Sequence, residues 1–223
     1  MTHRRVLIGA FVALFVAGGA GAGDDLYKAA AGPMKVSQRD AEWKDGARER
    51  AVPVRIYEPR HEMKEGDAKV EEEKHPLIVF SHGMGGSRNG YPYIAEHLAS
   101  YGYVVILPTH AGSDTEAIRK EVQERARERL DGGKANGGRP GAAAQALELM
   151  EANTSDPDNL KNRPLDISFV IDHALADETL SREIDSSRIG VAGHSFGAYT
   201  AMAVAGMLVD LPGMWITRSA RSA

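Results

Sequence analysis

The sequence contains no cysteine and has no excess of positive charge. Without cysteine there is no disulfide, no thiolate zinc site and no cysteine-linked lipid anchor, and the redox compartment stays undecided. A formal net charge of −4 over 223 residues gives no general basic field, which argues against nucleic-acid binding. No apolar run beyond the N-terminal segment is long enough to cross a membrane. Length and an apolar content of 43% fit one globular domain.

Residues 1–22 have the features of a secretory signal peptide. The basic start MTHRR precedes the apolar run VLIGAFVALFVAGGAGA, and Ala20 and Ala22 form an A-x-A pattern. Cleavage after Ala22 predicts export to the periplasm or the extracellular space, with no stable membrane span afterwards. The alternative is an uncleaved membrane anchor. The remaining domain is predicted to cover 23–223.

Three continuous apolar runs predict strands buried on both faces of a parallel sheet. They are LIVF in 77–80, YVVILP in 103–108 and the strand that runs into Gly193. Since these runs alternate with helical patterns, the fold class is predicted to be α/β, with a doubly wound, mostly parallel sheet. Two further strands precede them. The dipeptide Asp45-Gly46 between these two strands is typical of two-residue β-hairpin loops and predicts such a turn. Helices are predicted over 115–130, 142–152 and 165–175.

The segment 113–163 is longer than a simple crossover between parallel strands requires. It is interpreted as an insertion over the carboxyl edge of the sheet, and two roles stay open. It forms either a lid or a solvated surface excursion.

The pentapeptide from Gly193 to Gly197 fits the pattern G-x-S-x-G, and it stands between a buried strand and a small-residue helix. That context is typical of a nucleophile elbow, in which the serine hydroxyl projects above the sheet at a helix N-terminus. Ser195 is therefore predicted to be the nucleophile. A glycine-rich turn with an incidental serine is the alternative.

A nucleophilic serine needs hydrogen-bond donors for the oxyanion of its tetrahedral intermediate. One donor is the N–H of the residue after the nucleophile, here Phe196. The loop SHGMGGS, which follows a buried strand, supplies the other, for which we choose the Met84 N–H. Gly83 and its neighbours let the backbone come close. The loop lacks G-x-G-x-x-G and G-K-[ST], so phosphate binding is a minor alternative.

The stretches SHGMGGSRNGYPYIAEHLASYGYVVILPTHAGSD and RIGVAGHSFGAYTAM resemble the platelet-activating-factor acetylhydrolase and dienelactone-hydrolase-like branch of the α/β-hydrolases. The resemblance implies an esterase-type serine hydrolase with Ser195 as nucleophile and the Met84 and Phe196 amides as oxyanion hole. It also implies that His82 belongs to the oxyanion loop and His110 to the pocket wall.

The helix RPLDISFVIDHAL resembles the helix that leads into the elbow strand in this family. Asp166 on it is therefore expected to be structural rather than the triad acid.

No histidine follows Ser195, although the triad order in α/β-hydrolases is serine, acid, histidine. The simplest expectation is a chain that stops after the elbow helix and lacks the acid and the base. Substitution by His82, His110 or His194, the last beside the serine, is a weaker alternative. A metal site from His82, His110 and Asp114 is weaker still, so no metal and no organic cofactor are expected.

Two functions follow from these patterns. The first is a secreted serine hydrolase that acts on small carboxylic esters. The second is a catalytically inactive fragment or pseudo-enzyme that binds an acyl ligand or a partner, since a serine without a base is a weak nucleophile.

Overall fold

The computed structural model describes residues 30–60, 73–131 and 141–207, except for the side chains of 129–131. The predicted signal peptide, residues 1–22, and the C-terminal tail, residues 208–223, lie outside these ranges. Within them, no helix is both long enough and apolar enough to cross a bilayer.

Strands and helices alternate along the described chain. They are β1 (Lys35–Asp45), β2 (Arg50–Arg60), β3 (His75–Ser81), α1 (Pro92–Ser100), β4 (Val104–Pro108), α2 (Thr115–Asp131), α3 (Ala142–Ser155), α4 (Pro157–Ala176), α5 (Leu180–Glu183), β5 (Ile184–Gly193) and α6 (Phe196–Val204).

The five strands form one sheet in the order β1-β2-β4-β3-β5. Strand β3 is parallel to both β4 and β5, whereas β2 is antiparallel to β1 and to β4. Four strands therefore run in one direction and β2 alone runs against them, which confirms the predicted mostly parallel sheet. The chain passes from β3 to β4 on one side and later returns to β5 on the other. Ligands of open α/β sheets bind at the carboxyl ends of strands where the order reverses in this way.

The sheet is covered on both faces, as a doubly wound fold requires. On one face the aliphatic side chains of the central strands pack against α4 and α6, with Ile167, Val170 and Ala201 fully or almost fully buried. On the other face Ala95 and Ala99 of α1 pack against β2 and β4. Strands buried on both faces explain the continuous apolar runs in the sequence.

The turn between β1 and β2 differs from the two-residue hairpin predicted at Asp45-Gly46. Four residues, 46–49, connect the strands, and Glu49 takes the positive φ of 48°. The Asp45 carboxylate accepts hydrogen bonds from the backbone N–H groups of Ala47 and Arg48, at 3.0 and 3.3 Å. Asp45 therefore organises the turn through its side chain, as Asp commonly does.

Helix α4 begins eight residues earlier than the helix predicted over 165–175. Asp156 is its N-cap, accepting from the N–H groups of Asp158 and Asn159, and Pro157 occupies the first helical position. Pro164 lies inside the helix and cannot donate to the carbonyl of Leu160. The Tyr199 hydroxyl of α6 donates to that carbonyl at 3.1 Å, which compensates for the missing bond and keeps the helix continuous.

Candidate active site

Ser195 lies where β5 ends and α6 begins, beside the carboxyl end of β3. Its backbone has φ 55° and ψ −117°, a conformation that costs a non-glycine residue of order 1–3 kcal/mol. Its side chain is exposed, whereas Gly193 and Phe196 on either side of it are buried. The predicted elbow geometry is present, because a strained turn holds the hydroxyl out of the core and at the first turn of a helix.

Two glycines make this turn possible. A Cβ on Gly197 would overlap the carbonyl oxygen of Ser81 and lie 2.9 Å from that of His82. A Cβ on Gly193 would overlap the carbonyl of Gly197. All of these atoms are backbone, so no side chain can turn aside to make room. The motif therefore requires glycine at these two positions for steric reasons.

We expect Gly197→Ala to lower the free energy of unfolding by about 1–3 kcal/mol, because an extra methyl group must displace the end of β3. Gly190→Ala is the matched control on β5, since its Cβ would meet Ile78 Cγ1 at 3.8 Å, an ordinary contact. Urea denaturation of both variants measures the difference. Equal stability of the two variants would contradict the steric argument.

The candidate oxyanion loop, residues 83–86, follows β3 and lies against the elbow. A Cβ on Gly83 would be 3.4 Å from the carbonyl oxygen of His194. Among the hydrogen bonds of the described residues, neither the Met84 N–H nor the Phe196 N–H donates to a protein acceptor. Both predicted donors are therefore unpaired, as an oxyanion hole requires.

The segment 113–115 tethers this loop. Gly85 N–H donates to the Ser113 carbonyl at 2.9 Å, and Thr115 N–H donates to the Gly86 carbonyl at 3.1 Å. The Thr115 hydroxyl adds a bond of 2.8 Å to the Gly85 carbonyl. Gly86 and Asp114 form an isolated parallel bridge. The first residues of α2 thus fix the loop that carries Met84.

His82 lies under the loop and is almost completely buried. Its Nε2 accepts from the backbone N–H of His110 at 3.0 Å, so Nδ1 carries the proton and donates to the Gly83 carbonyl at 2.6 Å. Burial disfavours the charged imidazole and lowers the pKa of His82 to about 2. His82 is therefore a neutral support of the loop, with both ring nitrogens occupied.

His110 forms a buried relay with Ser81 and Asp166. Its Nδ1 is 3.0 Å from Asp166 Oδ2, and its Nε2 is 2.9 Å from the Ser81 hydroxyl. Burial lowers the pKa of His110 to about 4, although the Asp166 carboxylate opposes this. The order serine, histidine, aspartate is that of a catalytic triad, but all three side chains are fully buried. No substrate reaches Ser81, and the relay is structural.

Asp166 is also the centre of a cationic cluster. Arg50 donates to both of its carboxylate oxygens, at 2.8 and 3.1 Å, and Arg48 lies 2.9 Å away. Burial acts to raise the pKa of Asp166, but the hydrogen bonds from His110 and Arg50 outweigh it and hold that pKa below its usual value. This ionised, saturated carboxylate matches the expected structural role of Asp166.

His194 points away from the core and toward Tyr91. Its Nδ1 is 2.9 Å from the Tyr91 hydroxyl, which also accepts from the Gly83 N–H at 3.4 Å. Tyr91 is itself strained, with φ 61° just before α1. The pair forms a wall beside the oxyanion loop. Among the described residues, no group of three or more His, Asp or Glu side chains is placed to hold a metal ion.

Residues 41–162 match the sequence model of one protein family, described as platelet-activating factor acetylhydrolase, isoform II. The chain belongs to this family. The matched range includes the oxyanion loop and ends before Ser195. Family membership, the elbow and the mostly parallel sheet together identify the fold as that of an α/β-hydrolase, as predicted.

Curated platelet-activating factor acetylhydrolases are similar over 58% of the chain. The protein of Canis lupus familiaris is 32% identical over 147 residues, and that of Cavia porcellus is 29% identical over 153. These matches cover 32% and 31% of the two relatives, so the chain spans about a third of their length. A solved ferulic acid esterase from Streptomyces cinnamoneus is 22% identical, with a TM-score of 0.49, over 81% of this chain and 57% of its own.

Arg163, which is fully buried behind the candidate oxyanion loop, is a residue that the sequence did not predict for this site. It lies on α4 in register with buried Ile167, Val170 and Ala174, at spacings of four, three and four residues. That helical period was visible in the sequence, but Pro164 made the preceding segment look like a loop.

Proposed function

We propose that this protein is a serine hydrolase that acts on carboxylic esters. The observation that carries the proposal is the geometry at Ser195, an exposed hydroxyl on a strained elbow beside two unpaired backbone N–H groups. The transferred part of the substrate is proposed to be a small acyl group, acetyl above all. This is supported by the relatives named platelet-activating factor acetylhydrolase. The signal-peptide pattern of residues 1–22 supports export as the setting of the reaction.

In this proposal Ser195 Oγ bonds to the ester carbonyl carbon, and the carbonyl electron pair moves onto the oxygen. The Met84 and Phe196 N–H groups donate to that oxyanion. The C–O bond to the alcohol then breaks, the alcohol takes up a proton, and an acyl-serine remains. Water hydrolyses the acyl-serine and releases the carboxylic acid. The seryl proton passes to a general base, an imidazole in enzymes of this type.

A second candidate function is ligand binding without turnover. It is favoured by the hydrogen bonds of His82 and His110, because all four of their ring nitrogens are occupied. In this case the elbow and the oxyanion loop bind an ester or its acid, and the chemical step is missing.

A fluorophosphonate probe tests both candidates in the 223-residue chain. Ser195 Oγ bonds to phosphorus, fluoride leaves, and the seryl proton goes to solvent. We expect covalent labelling that Ser195→Ala abolishes and that Ser187→Ala leaves unchanged, since Ser187 is exposed and its hydroxyl donates to Asp185. p-Nitrophenyl acetate measures turnover. Labelling together with acetate release supports the hydrolase proposal, and a folded wild-type chain that resists labelling overturns it and favours the binding function.

A further inference from the structure

Arg163 makes an unusual set of contacts for a buried cation. Its Nε donates to the Thr200 hydroxyl at 3.0 Å, its Nη1 to the Ser113 hydroxyl at 2.7 Å, and its Nη2 to the Ser81 hydroxyl at 3.0 Å. Nη2 also donates to the carbonyl oxygen of His82. The guanidinium carbon lies 4.5 Å from the centre of the Phe196 ring.

These contacts connect the two segments that carry the proposed oxyanion donors. Ser81 and His82 come directly before Gly83-Met84. Ser113 accepts the Gly85 N–H through its carbonyl while its hydroxyl accepts from Arg163. Thr200 and Phe196 belong to α6, whose first N–H is the second donor. One planar guanidinium therefore fixes the oxyanion loop relative to the elbow helix, which a single flexible contact could not do.

The charge of Arg163 has no direct counter-ion among the described residues. All of its hydrogen-bond acceptors are neutral hydroxyl or carbonyl oxygens. Burial lowers the pKa of Arg163 to about 9, and the nearby charge of Asp166 opposes this, so the side chain is charged at neutral pH. A buried cation without a contacting carboxylate is costly. A negative charge that forms nearby during the reaction would be stabilised by it.

We propose that Arg163 is a positioning residue of the oxyanion hole: its guanidinium holds the Met84 and Phe196 amides in one arrangement and stabilises, from behind, the anion that forms between them. This inference rests on the proposed function. Arg163 acts through the two amides and does not touch the substrate. Its effect therefore belongs to the transition state, where the anion exists, and not to the binding of a neutral ester.

The test is fluorophosphonate labelling resolved into the chemical rate constant, kinact, and the dissociation constant of the reversible complex, KI. Arg163→Met keeps the length and apolar stem of the side chain but removes its charge and donors. We expect kinact to fall about 100-fold with KI unchanged within a factor of about two, comparable to the loss of an oxyanion donor. Arg163→Lys keeps the charge without the planar fork, and we expect about a tenfold fall in kinact.

Ile167→Val is the control on the same helix. Ile167 is fully buried in the core against the sheet. The substitution removes one methyl group from the packing of α4 and leaves the contacts of the guanidinium unchanged. Its kinact should stay within about twofold of wild type. If the role of Arg163 is purely structural, kinact and KI should both change in the variants, and the size of the change should correlate with the loss in melting temperature.

The outcomes separate this inference from the proposed function. If wild type is not labelled at Ser195, the hydrolase proposal fails first. If wild type is labelled and folded Arg163→Met keeps kinact within threefold, the hydrolase proposal stands and the role of Arg163 is refuted. If Arg163→Met does not fold, Arg163→Lys decides, and wild-type kinact in that variant overturns the inference.

Discussion

Lowering the pH from 7 to 5 is expected to remove about 4 kcal/mol from the free energy of unfolding, because two buried histidines stay neutral in the folded protein. Burial lowers the pKa of His82 to about 2 and that of His110 to about 4. In the unfolded chain both have the ordinary value of about 6.5. Between pH 6.5 and the folded-state pKa of His110, about 4, the unfolded chain therefore binds up to two more protons than the folded one at these sites. Each contributes about 1.4 kcal/mol per pH unit.

The sign follows from the depressed pKa values. The stabilising contribution is fully present above pH 6.5 and is lost as the pH falls toward about 4 for His110 and further for His82. Glu58 acts in the opposite direction, since burial and the charge of Glu183 raise its pKa. Asp166 does not change its charge in this range, because its pKa lies below the ordinary value.

Urea denaturation between pH 7 and pH 5 measures this effect. In His82→Gln one of the two titrating imidazoles is absent, so the loss between these pH values should be about half that of wild type. A wild-type loss below about 1 kcal/mol would show that the two imidazoles are protonated in the folded state, against the hydrogen-bond pattern of His82 and His110.

Replacing Asp166 by alanine is expected to cost about 3–5 kcal/mol of unfolding free energy. The carboxylate is fully buried and receives hydrogen bonds or ion pairs from Arg48, Arg50 and His110. Its removal leaves Arg50 and the His110 N–H without their carboxylate acceptor, whereas Arg48 keeps its ion pair with Asp45. The loss of the carboxylate therefore leaves uncompensated charge, which accounts for most of the expected cost.

Asp40→Ala is the control for this experiment. Asp40 also pairs with an arginine through two hydrogen bonds, 2.6 and 2.9 Å from Arg55, but the two side chains are 40% and 24% exposed. An exposed pair contributes about 0.2–1 kcal/mol. Thermal or urea unfolding of both variants gives the comparison. Similar losses in the two variants would argue that Asp166 is not the buried centre of the cluster.

The sequence predicted the parts of the site that are local in the chain. Ser195, Gly193 and Gly197 lie within five residues, and the strained turn is a property of that pentapeptide and the strand before it. The glycine-rich loop around Met84 follows its strand in the same way. Continuous apolar runs predicted β3 and β4 for an equally local reason, since a strand covered on both faces needs apolar residues at every position.

The parts that the sequence analysis missed are long-range. Arg163 contacts Ser81 and Ser113, which are 82 and 50 residues away along the chain. The relay from Ser81 through His110 to Asp166 likewise joins three elements. His82, expected in the oxyanion loop, and His110, expected at the pocket wall, are both buried with their ring nitrogens occupied. The spacing of residues along the sequence does not predict these side-chain contacts, because they depend on which strands are neighbours in the sheet.

The tether between the oxyanion loop and the start of α2 restricts how this protein can diversify. Ser113 and Thr115 are bound to the loop by backbone hydrogen bonds, and a Cβ on Gly85 would lie 3.7 Å from Ile118 Cγ1. Substitutions in the first turn of α2 are therefore expected to disturb this loop, whereas substitutions later in α2 are not. New surface side chains can be introduced along the later turns of α2, while Ser113 and Thr115 must keep their hydrogen bonds for the loop that carries Met84 to keep its position beside Ser195.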